Sequence, residues 1–279
     1  MSRALSQIHP DTARPQPGFA TRRIGTVNWL GVYTLYAKEV RRFIKVFLQT
    51  ILAPAVTTIL FLAIFMVALG GARRTVGDIA FSAFLAPGLI MMSIIQNSFA
   101  NTSSSLMIAK IQGNIVDVLM PPLSAGELTV AYAAGGVSRG ALVALAVAAP
   151  IFPFVDLTIN HPWAVLYYGL SASLMLSLIG AMTGIWSDKF DHLSAVTNFV
   201  IMPLSFLSGT FYSIERLPEI WQTISRFNPF FYLIDGFRYG FIGHADGDLT
   251  IGVLTTLAAN LALTIACYLM FRRGYKLKA

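Results

Sequence analysis

Residues Leu204 to Tyr239 read LSFLSGTFYSIERLPEIWQTISRFNPFFYLIDGFRY, and this stretch decides how the chain is interpreted. It begins as an apolar helix. Charged residues around Pro218 interrupt this helix, and Asn228-Pro229 break the chain a second time. A short amphipathic segment lies between the breaks. After them comes a second apolar piece, which we expect to end at Asp235 and Arg238. Neither of the two pieces that follow Tyr212 has the roughly 20 residues that a bilayer-spanning helix needs.

This stretch therefore has two interpretations. Backbone that leaves the helical conformation at membrane depth has to be buried in protein or to line a wet cavity. The residues after Tyr212 form either a re-entrant hairpin between two spanning helices or an ordinary extramembrane loop with two short surface helices. The pattern alone leaves both open.

The composition of the whole chain indicates a polytopic membrane protein. Of its 279 residues, 56% are hydrophobic and 12% are charged, whereas soluble domains carry about 25% charged residues. The mean hydropathy is +0.67, and no stretch has the composition of a separate soluble domain. With a single cysteine, Cys267, an intrachain disulfide is impossible.

Six apolar stretches are long enough to cross a bilayer. The predicted spans lie at about 46–69, 81–105, 129–152, 163–185, 193–212 and 251–271. Residues 1–26 are polar and rich in Pro and Arg, which predicts a disordered tail; residues 27–45 predict a basic amphipathic helix on the inner membrane surface. We therefore expect an all-α protein in which residues 27–279 form one transmembrane domain.

The distribution of basic residues predicts the orientation. Six spans place both termini on one side, and fourteen of the 20 Lys and Arg residues then lie on that side, against five on the other. By the positive-inside rule both termini are cytoplasmic. The net charge of +7 is thus explained by topology and does not indicate nucleic-acid binding.

A predicted inner loop at residues 109–128, AKIQGNIVDVLMPPLSAGEL, contains a short helix of its own. Gly113 breaks the preceding helix, Asn114 is an expected N-cap, and Pro121-Pro122 stop the new helix after about two turns. An exposed apolar helix indicates a protein partner. The alternative is that the helix packs under the bundle or lies at the membrane interface.

The run SGTFYSIERLP, a following Trp and the run NPFFYLIDGFR resemble the C-terminal signature of ABC-2 type transporter permeases, the membrane subunits of one class of ATP-driven exporters. The residues that carry the signature are Ser208, Gly209, Pro218, Asn228, Pro229, Phe231, Tyr232 and Arg238. The resemblance extends from about Trp29 to the C-terminus. It implies a permease of the bacterial inner membrane, working with two ABC ATPase subunits either as two copies of this chain, which is the expected arrangement, or as this chain with a sister permease.

The resemblance also assigns roles to segments of the chain. ATP and Mg²⁺ would bind the partner ATPase, because this sequence has no G-x-x-x-x-G-K-[ST] motif. The run VDVLMPPLS resembles the family's coupling helix, which docks on the ATPase. The implied docking residues are Asn114, Ile115, Val116, Asp117, Val118, Leu119 and Met120.

Polar and aromatic residues within the predicted spans are candidates for a translocation path. The candidates are Gln96, Asn97, Phe206, Phe211 and Tyr212. For the two amides the alternative is helix–helix hydrogen bonding, and for the aromatics it is packing or interfacial anchoring. The aromatic content favours an amphiphilic or hydrophobic cargo such as a lipid, a glycan or a drug.

Arg139 lies about half-way across the third predicted span. An intramembrane charge is costly, so it is either functional or paired. We expect a partner among backbone carbonyls or a carboxylate of another helix; Glu127 qualifies only if the helix starts later than predicted.

No catalytic constellation stands out in the sequence. Two carboxylate clusters, Asp188 with Asp191 and His192, and Asp246 with Asp248, sit in short loops where solvated charge is usual. They are the only support for the alternative function, an integral-membrane enzyme acting on a lipid. A membrane anchor without a transport path is a third possibility. We expect no metal site, no cofactor on this chain and no enzymatic activity.

Overall fold

The computed structural model describes residues 25–68, 75–76, 79–155, 157–214 and 217–277. The predicted disordered tail lies almost wholly outside this range. So do Arg73 and Arg74 of the first outer turn and Glu215 and Arg216 of the decisive stretch.

The described residues are mainly helical. The elements are α1 (Trp29–Ile44), α2 (Ala53–Ala68), β1 (Thr75–Val76), β2 (Ile79–Ala80), α3 (Phe81–Ile111), α4 (Ile115–Leu119), α5 (Ala125–Ile151), α6 (Pro162–Trp186), α7 (Phe190–Val196), α8 (Met202–Leu207), α9 (Glu219–Phe227), α10 (Pro229–Ile242) and α11 (Leu249–Arg273). One π-helical turn, Leu48–Leu52, leads into α2, and another, Thr197–Ile201, joins α7 to α8. The two strands form a single antiparallel pair.

Six helical segments are long and apolar enough to cross a membrane, which confirms the predicted all-α membrane fold. They are Leu48–Ala68, Phe81–Ile111, Ala125–Ile151, Pro162–Trp186, Phe190–Leu207 and Leu249–Arg273. Three limits differ from the prediction by four residues or more. The second segment continues past residue 105 to Ile111, the third begins at Ala125, and the fifth ends at Leu207, five residues before the predicted limit.

The centre of the bundle is α3, which packs against α5 and α6. Glycines allow this close approach: a Cβ on Gly136 of α5 would lie 2.1 Å from Ser177 Oγ, and one on Gly180 of α6 would lie 2.4 Å from the carbonyl oxygen of Phe99. Both glycines belong to G-x-x-x-G pairs, a spacing that lets helix backbones come together. Of the residues in the apolar part of the α3 segment 83% are buried, whereas the corresponding share is 17% in each of the segments containing α2, α8 and α11.

The two ends of the bundle carry different structures. One end, the α4 face, contains α4, the start of α5 and the ends of α3, α6 and α11. There Lys110 Nζ donates to the carbonyl oxygens of Ile185 and Ser187, and Lys276 Nζ donates to that of Trp186. The opposite end, the hairpin face, contains α9, α10 and the start of α6, where the His161 amide donates to the carbonyl oxygen of Gly240.

The second apolar piece of the decisive stretch is longer than predicted. Instead of ending at Asp235 and Arg238, α10 continues to Ile242 and packs against α3, α6 and α11. Asp235 and Arg238 are 3% and 2% exposed. They are buried within the helix because each bonds to the backbone of a neighbouring segment. The preceding α9 is mostly exposed and has Ser225 as its buried residue.

Candidate functional sites

The short helix α4 has one anchored side and one free side. The chain turns back after α3 at Gly113, which adopts a φ of +73°, and the helix then runs from Ile115 to Leu119. Ile115 and Val118 are buried in a cluster with Leu35 of α1 and other apolar residues. Val116 is 53% exposed and Met120 is 77% exposed. The anchored side fixes α4, and the free side presents apolar atoms to the surroundings.

The predicted docking residues Asn114 to Met120 are therefore divided between the free side and the anchored side of α4. Asn114, Val116, Asp117 and Met120 are exposed, and Leu119 is partly exposed. Asn114 is the N-cap residue of α4, as predicted, but its side chain makes no capping hydrogen bond; its Nδ2 donates instead to Gln112 Oε1 at 3.2 Å.

A groove of about 730 Å³ lies beside α4, with α1 as its other wall. The start of α1 is tied to the start of α5, because Glu127 accepts the Asn28 amide while forming a capping box with Ser124. Gly31 approaches closely as well, since a Cβ there would lie 2.6 Å from Leu123 Cδ2. The groove is lined by Asn28, Leu30, Gly31, Thr34, Leu35, Lys38, Arg42, Ser105, Ile108, Ala109, Gln112, Asn114, Asp117, Val118, Pro121 and Leu123.

Polar side chains follow one face of α3 from its middle to the groove. Ser93, Asn97, Asn101 and Ser105 are buried and spaced four residues apart, so they lie above one another on the helix over about 18 Å. Three other helices meet this face. Thr58 of α2 hydrogen bonds Ser93 at 2.9 Å, and the other partners come from α5 and α1. We call this set the α3 polar face.

Arg139 of α5 meets this face at Asn97. Its Nη2 donates to Asn97 Oδ1 at 2.9 Å, and the residue is 9% exposed. The partner is a side-chain amide, neither the backbone carbonyl nor the carboxylate that was expected. Glu127 is excluded because α5 begins before it and its carboxylate bonds to the amides of Asn28 and Ser124.

Glu39 and Arg42 of α1 meet the same face nearer the groove. Glu39 is fully buried and accepts from Ser105 Oγ at 2.6 Å. Arg42 Nη2 donates to the carbonyl oxygen of Asn101 at 2.6 Å and pairs with Glu39 at 3.3 Å. The helix α1 is thus bonded through its charged residues to the buried centre of the bundle. Glu39 was not among the site residues predicted from the sequence, although its place between Leu35 and Phe43 at a helical spacing of four gave a signal.

The predicted path residue Gln96 lies in a separate cleft. This cleft of about 260 Å³ separates α3 from α7 and the π-helical turn, and its lining is rich in amides and hydroxyls. The lining residues are Gln96, Phe99, Ala100, Ser103, Ser104, Leu193, Ser194, Thr197 and Asn198. The two predicted amides therefore differ: Asn97 bonds to Arg139 within the bundle, and Gln96 faces an open cleft.

The three predicted aromatic path residues form one cluster near the end of α8. Phe206 and Phe211 stack with ring centroids 5.4 Å apart, and Phe211 lies 5.0 Å from Phe65 of α2. Tyr212 Oη donates to the carbonyl oxygen of Phe206 at 3.2 Å. Phe206 is 42% exposed. The cluster joins α2 to the fifth span and faces outward from the bundle.

The signature residues of the decisive stretch hold α10 against the end of α8. Asn228 caps α10 by accepting the Phe230 amide, and its Nδ2 donates to Ser208 Oγ at 2.8 Å. Arg238 donates to the carbonyl oxygen of Gly209 at 2.6 Å and stacks over the Phe84 ring at 3.8 Å.

Both carboxylate clusters are used by the fold. Asp188 pairs with Lys276 at 2.7 Å and Lys110 at 3.6 Å; the hydrogen bond from Lys276 is the main cause that lowers the pKa of Asp188. Asp246 accepts the Ile214 amide, and Asp248 caps α11. Within the described ranges no three His, Cys, Asp or Glu residues are grouped to hold a metal ion.

This chain is similar to known proteins over most of its length. Residues 31–242 match the model of the family described as ABC-2 type transporter. The inner membrane transport permease YadH of Escherichia coli (strain K12) is 37% identical over 254 residues, which cover 90% of this chain and 98% of that protein. Nodulation protein J of Rhizobium leguminosarum bv. viciae is 26% identical over 245 residues, covering 85% and 92%.

Proposed function

Because this chain belongs to the ABC-2 type transporter family, we propose that it is the membrane subunit of an ATP-driven exporter. The observation that carries this proposal is the construction of α4, anchored by Ile115 and Val118 and free at Val116 and Met120. A helix fixed on one side and apolar on the other fits the role of docking a rigid partner. The proposed partner is an ABC ATPase, which would bind ATP and Mg²⁺.

The adjoining groove gives that partner a second contact. A helix of the ATPase seated between α1 and α4 would touch Lys38 and Arg42 on one wall and Asp117 on the other. Motion of the ATPase would then move α1 and α4 together. Because Glu39 and Arg42 are bonded to α3, such a motion would reach the α3 polar face.

We propose two copies of this chain, with two ATPases, around a shared path. The segments containing α2 and α8 are 17% buried within one copy. They are joined by the cluster of Phe65, Phe206 and Phe211. Large apolar residues on these segments would bury well against a second copy. This arrangement places Gln96 and the aromatic cluster along the wall between copies.

The cargo that such a wall would suit is amphiphilic. The cleft at Gln96 offers the amides of Gln96 and Asn198 to a polar portion of a molecule, whereas the hydroxyls of Ser103, Ser104 and Thr197 are bonded to backbone carbonyl oxygens. The aromatic cluster at Phe206 offers ring surfaces to an apolar portion. A lipid-linked glycan, a lipid or a hydrophobic drug has either a polar and an apolar portion or an apolar portion alone.

The proposed orientation puts the α4 face in the cytoplasm and the hairpin face outside, in the bacterial inner membrane. It follows from the excess of Lys and Arg on the side of the termini. In this orientation α1 lies along the inner membrane surface with Trp29 and Tyr33 exposed, and α10 is the buried arm of a re-entrant outer hairpin.

Co-purification tests the proposal. The chain is expressed in membranes with each P-loop ATPase encoded near its gene, and the ATPase retained on the purified chain is measured. We expect the wild type to retain one kind of ATPase among those tested. Val116→Asp and Met120→Asp should lower its retention at least tenfold, because each places a charge in an apolar contact.

Tyr275→Asp is the matched control, since Tyr275 is also exposed on the α4 face but lies beyond α11. It should leave retention unchanged. Retention of the ATPase by both α4 variants would contradict the role of α4. Retention of no ATPase by the wild type would contradict the permease function.

A further inference from the structure

A second groove lies on the flank of the bundle, between α6 and α11 near the α4 face. Deeper in the bundle these helices are in contact, where Asn260 Nδ2 donates to Ser171 Oγ at 2.7 Å. Towards their C-terminal ends they separate and leave an open space of about 380 Å³. Its lining is mainly apolar and consists of Ile179, Met182, Thr183, Trp186, Leu263 and Met270.

The groove opens towards the lipid-facing side. The α11 segment is 17% buried, and the one hydroxyl in the lining, of Thr183, is already bonded to the carbonyl oxygen of Ile179. The lining therefore offers apolar contact and little hydrogen bonding to a guest. An acyl chain fits these walls, since it loses no hydrogen bonds on entering them.

The end of the groove nearest the α4 face is basic. Trp186 is 43% exposed there, at the level where Trp side chains meet lipid headgroups. Lys276 Nζ lies 5.9 Å from the Trp186 ring centroid. Arg273 follows Met270 by three residues, which places it on the groove side of α11. It is exposed and has no ion pair among the described residues.

Charge complementarity decides which lipid fits. Lys276 and Lys110 share the single carboxylate of Asp188, so this corner keeps a positive charge before Arg273 is added. Basic pockets between membrane helices on the cytoplasmic side bind anionic headgroups. We propose that the α6–α11 groove is a binding site for an anionic phospholipid, with an acyl chain along Met182 and Met270 and the phosphate at Arg273 and Lys276.

Native mass spectrometry of the purified full chain tests this site. Phosphatidylglycerol and phosphatidylcholine with identical acyl chains are added in turn, and the lipid-bound fraction is measured. The wild type should bind phosphatidylglycerol several-fold better. Arg273→Gln should lower that binding about fivefold, which is the contribution of one basic residue near an anionic surface.

Arg272→Gln is the matched control, because it removes the same charge from the neighbouring position on another side of α11. Its binding should stay within about twofold of the wild type. Met182→Trp should also lower phosphatidylglycerol binding, because it fills the groove while keeping all the basic residues.

Three results would overturn the site. They are equal binding of the two lipids by the wild type, equal losses from Arg272→Gln and Arg273→Gln, and full binding by Met182→Trp. The measurement needs neither ATP nor cargo, so its outcome is independent of the proposed transport function.

Discussion

At the scale of single residues, two buried charges of this bundle, Arg139 and Glu39, each have a neutral hydrogen-bonding partner on α3. Arg139 bonds to the amide of Asn97, and Glu39 bonds to the hydroxyl of Ser105. A buried charge is tolerated only when hydrogen bonds replace its lost hydration. The sequence identified Arg139 as costly but could not supply its partner, because an amide 42 residues away gives no local signal.

Replacing the partner of Arg139 alone should lower the free energy of unfolding more than replacing both residues together. Asn97→Leu leaves a buried guanidinium without its acceptor and should destabilise the protein by about 2–3 kcal/mol. Asn97→Leu with Arg139→Met removes the charge as well, so the double variant should be more stable than Asn97→Leu alone. Thermal unfolding of the detergent-purified chains measures both; strictly additive losses would show that the two residues are not coupled.

Glu39 and Lys38 make a second comparison, because they are adjacent, paired and unequal in burial. Glu39 is fully buried, while the Lys38 side chain is 48% exposed. Glu39→Gln should lower the free energy of unfolding by about 1–3 kcal/mol, since it removes a buried charge that pairs with the partly exposed Arg42. Lys38→Gln should change it by no more than about 0.5 kcal/mol. Equal effects in denaturant unfolding would contradict the buried role of Glu39.

At the scale of elements, apolar length was sufficient to predict the six spans, but not where α3 and α10 end. The polar second half of α3 gives no local signal for the residue at which the helix ends. Its small side chains bond to their own backbone, as Ser103 does to the carbonyl oxygen of Phe99, and pack between helices. In α10, Asp235 and Arg238 looked like terminators because sequence cannot distinguish a solvated charge from one that bonds to a neighbouring loop.

The path and docking residues could be predicted only in part, for a similar reason. Periodicity placed Gln96 and Asn97 on one helix, but which of them faces a cleft depends on where α5 and α7 pack. The short α4 was predictable from Gly113 and the two prolines that follow it. Its division into buried and free residues depends on contacts with α1 that lie far away in sequence.

The contact between α3 and the chain just after α8 gives a prediction at this scale. A Cβ on Gly88 of α3 would lie 2.4 Å from the carbonyl oxygen of Thr210, so Gly88→Ala should push the end of α8 away from α3 and destabilise the protein by at least 1 kcal/mol. At Gly126 of α5 the nearest atoms are 4.0 Å away. Gly126→Ala should be neutral or stabilising by up to about 1 kcal/mol.

Thermal unfolding of the two glycine variants is the measurement, because both add one methyl group to a helix. A Gly88→Ala variant as stable as Gly126→Ala would mean that the end of α8 is not held against α3 as described.

At the scale of the whole molecule, the bundle has a buried centre and apolar flanks. The α3 polar face runs through the centre to the groove beside α4, while the segments containing α2 and α8 remain exposed. In the proposed transporter these flanks meet a second copy, and the polar face links the ATPase side of each copy to the shared wall.

Cysteine cross-linking tests where two copies meet. The native Cys267 is fully buried, so the background should be low. Phe61→Cys lies on the side of α2 that carries Phe65 and the aromatic cluster, and it should give a covalent dimer on oxidation in membranes. Leu254→Cys on α11, which is 61% exposed, is the control. Dimers from Leu254→Cys and none from Phe61→Cys would contradict the proposed interface.

The central claim, that this chain is the membrane half of an ATP-driven transporter, is tested most directly by ATP hydrolysis in proteoliposomes. The ATPase that co-purifies with the chain is added to vesicles with wild-type chain, with Val116→Asp, or without chain. The account predicts vesicle-bound hydrolysis with the wild type, and a loss of at least tenfold both with Val116→Asp and without the chain. Vesicle-bound hydrolysis at the same rate in all three preparations would contradict it.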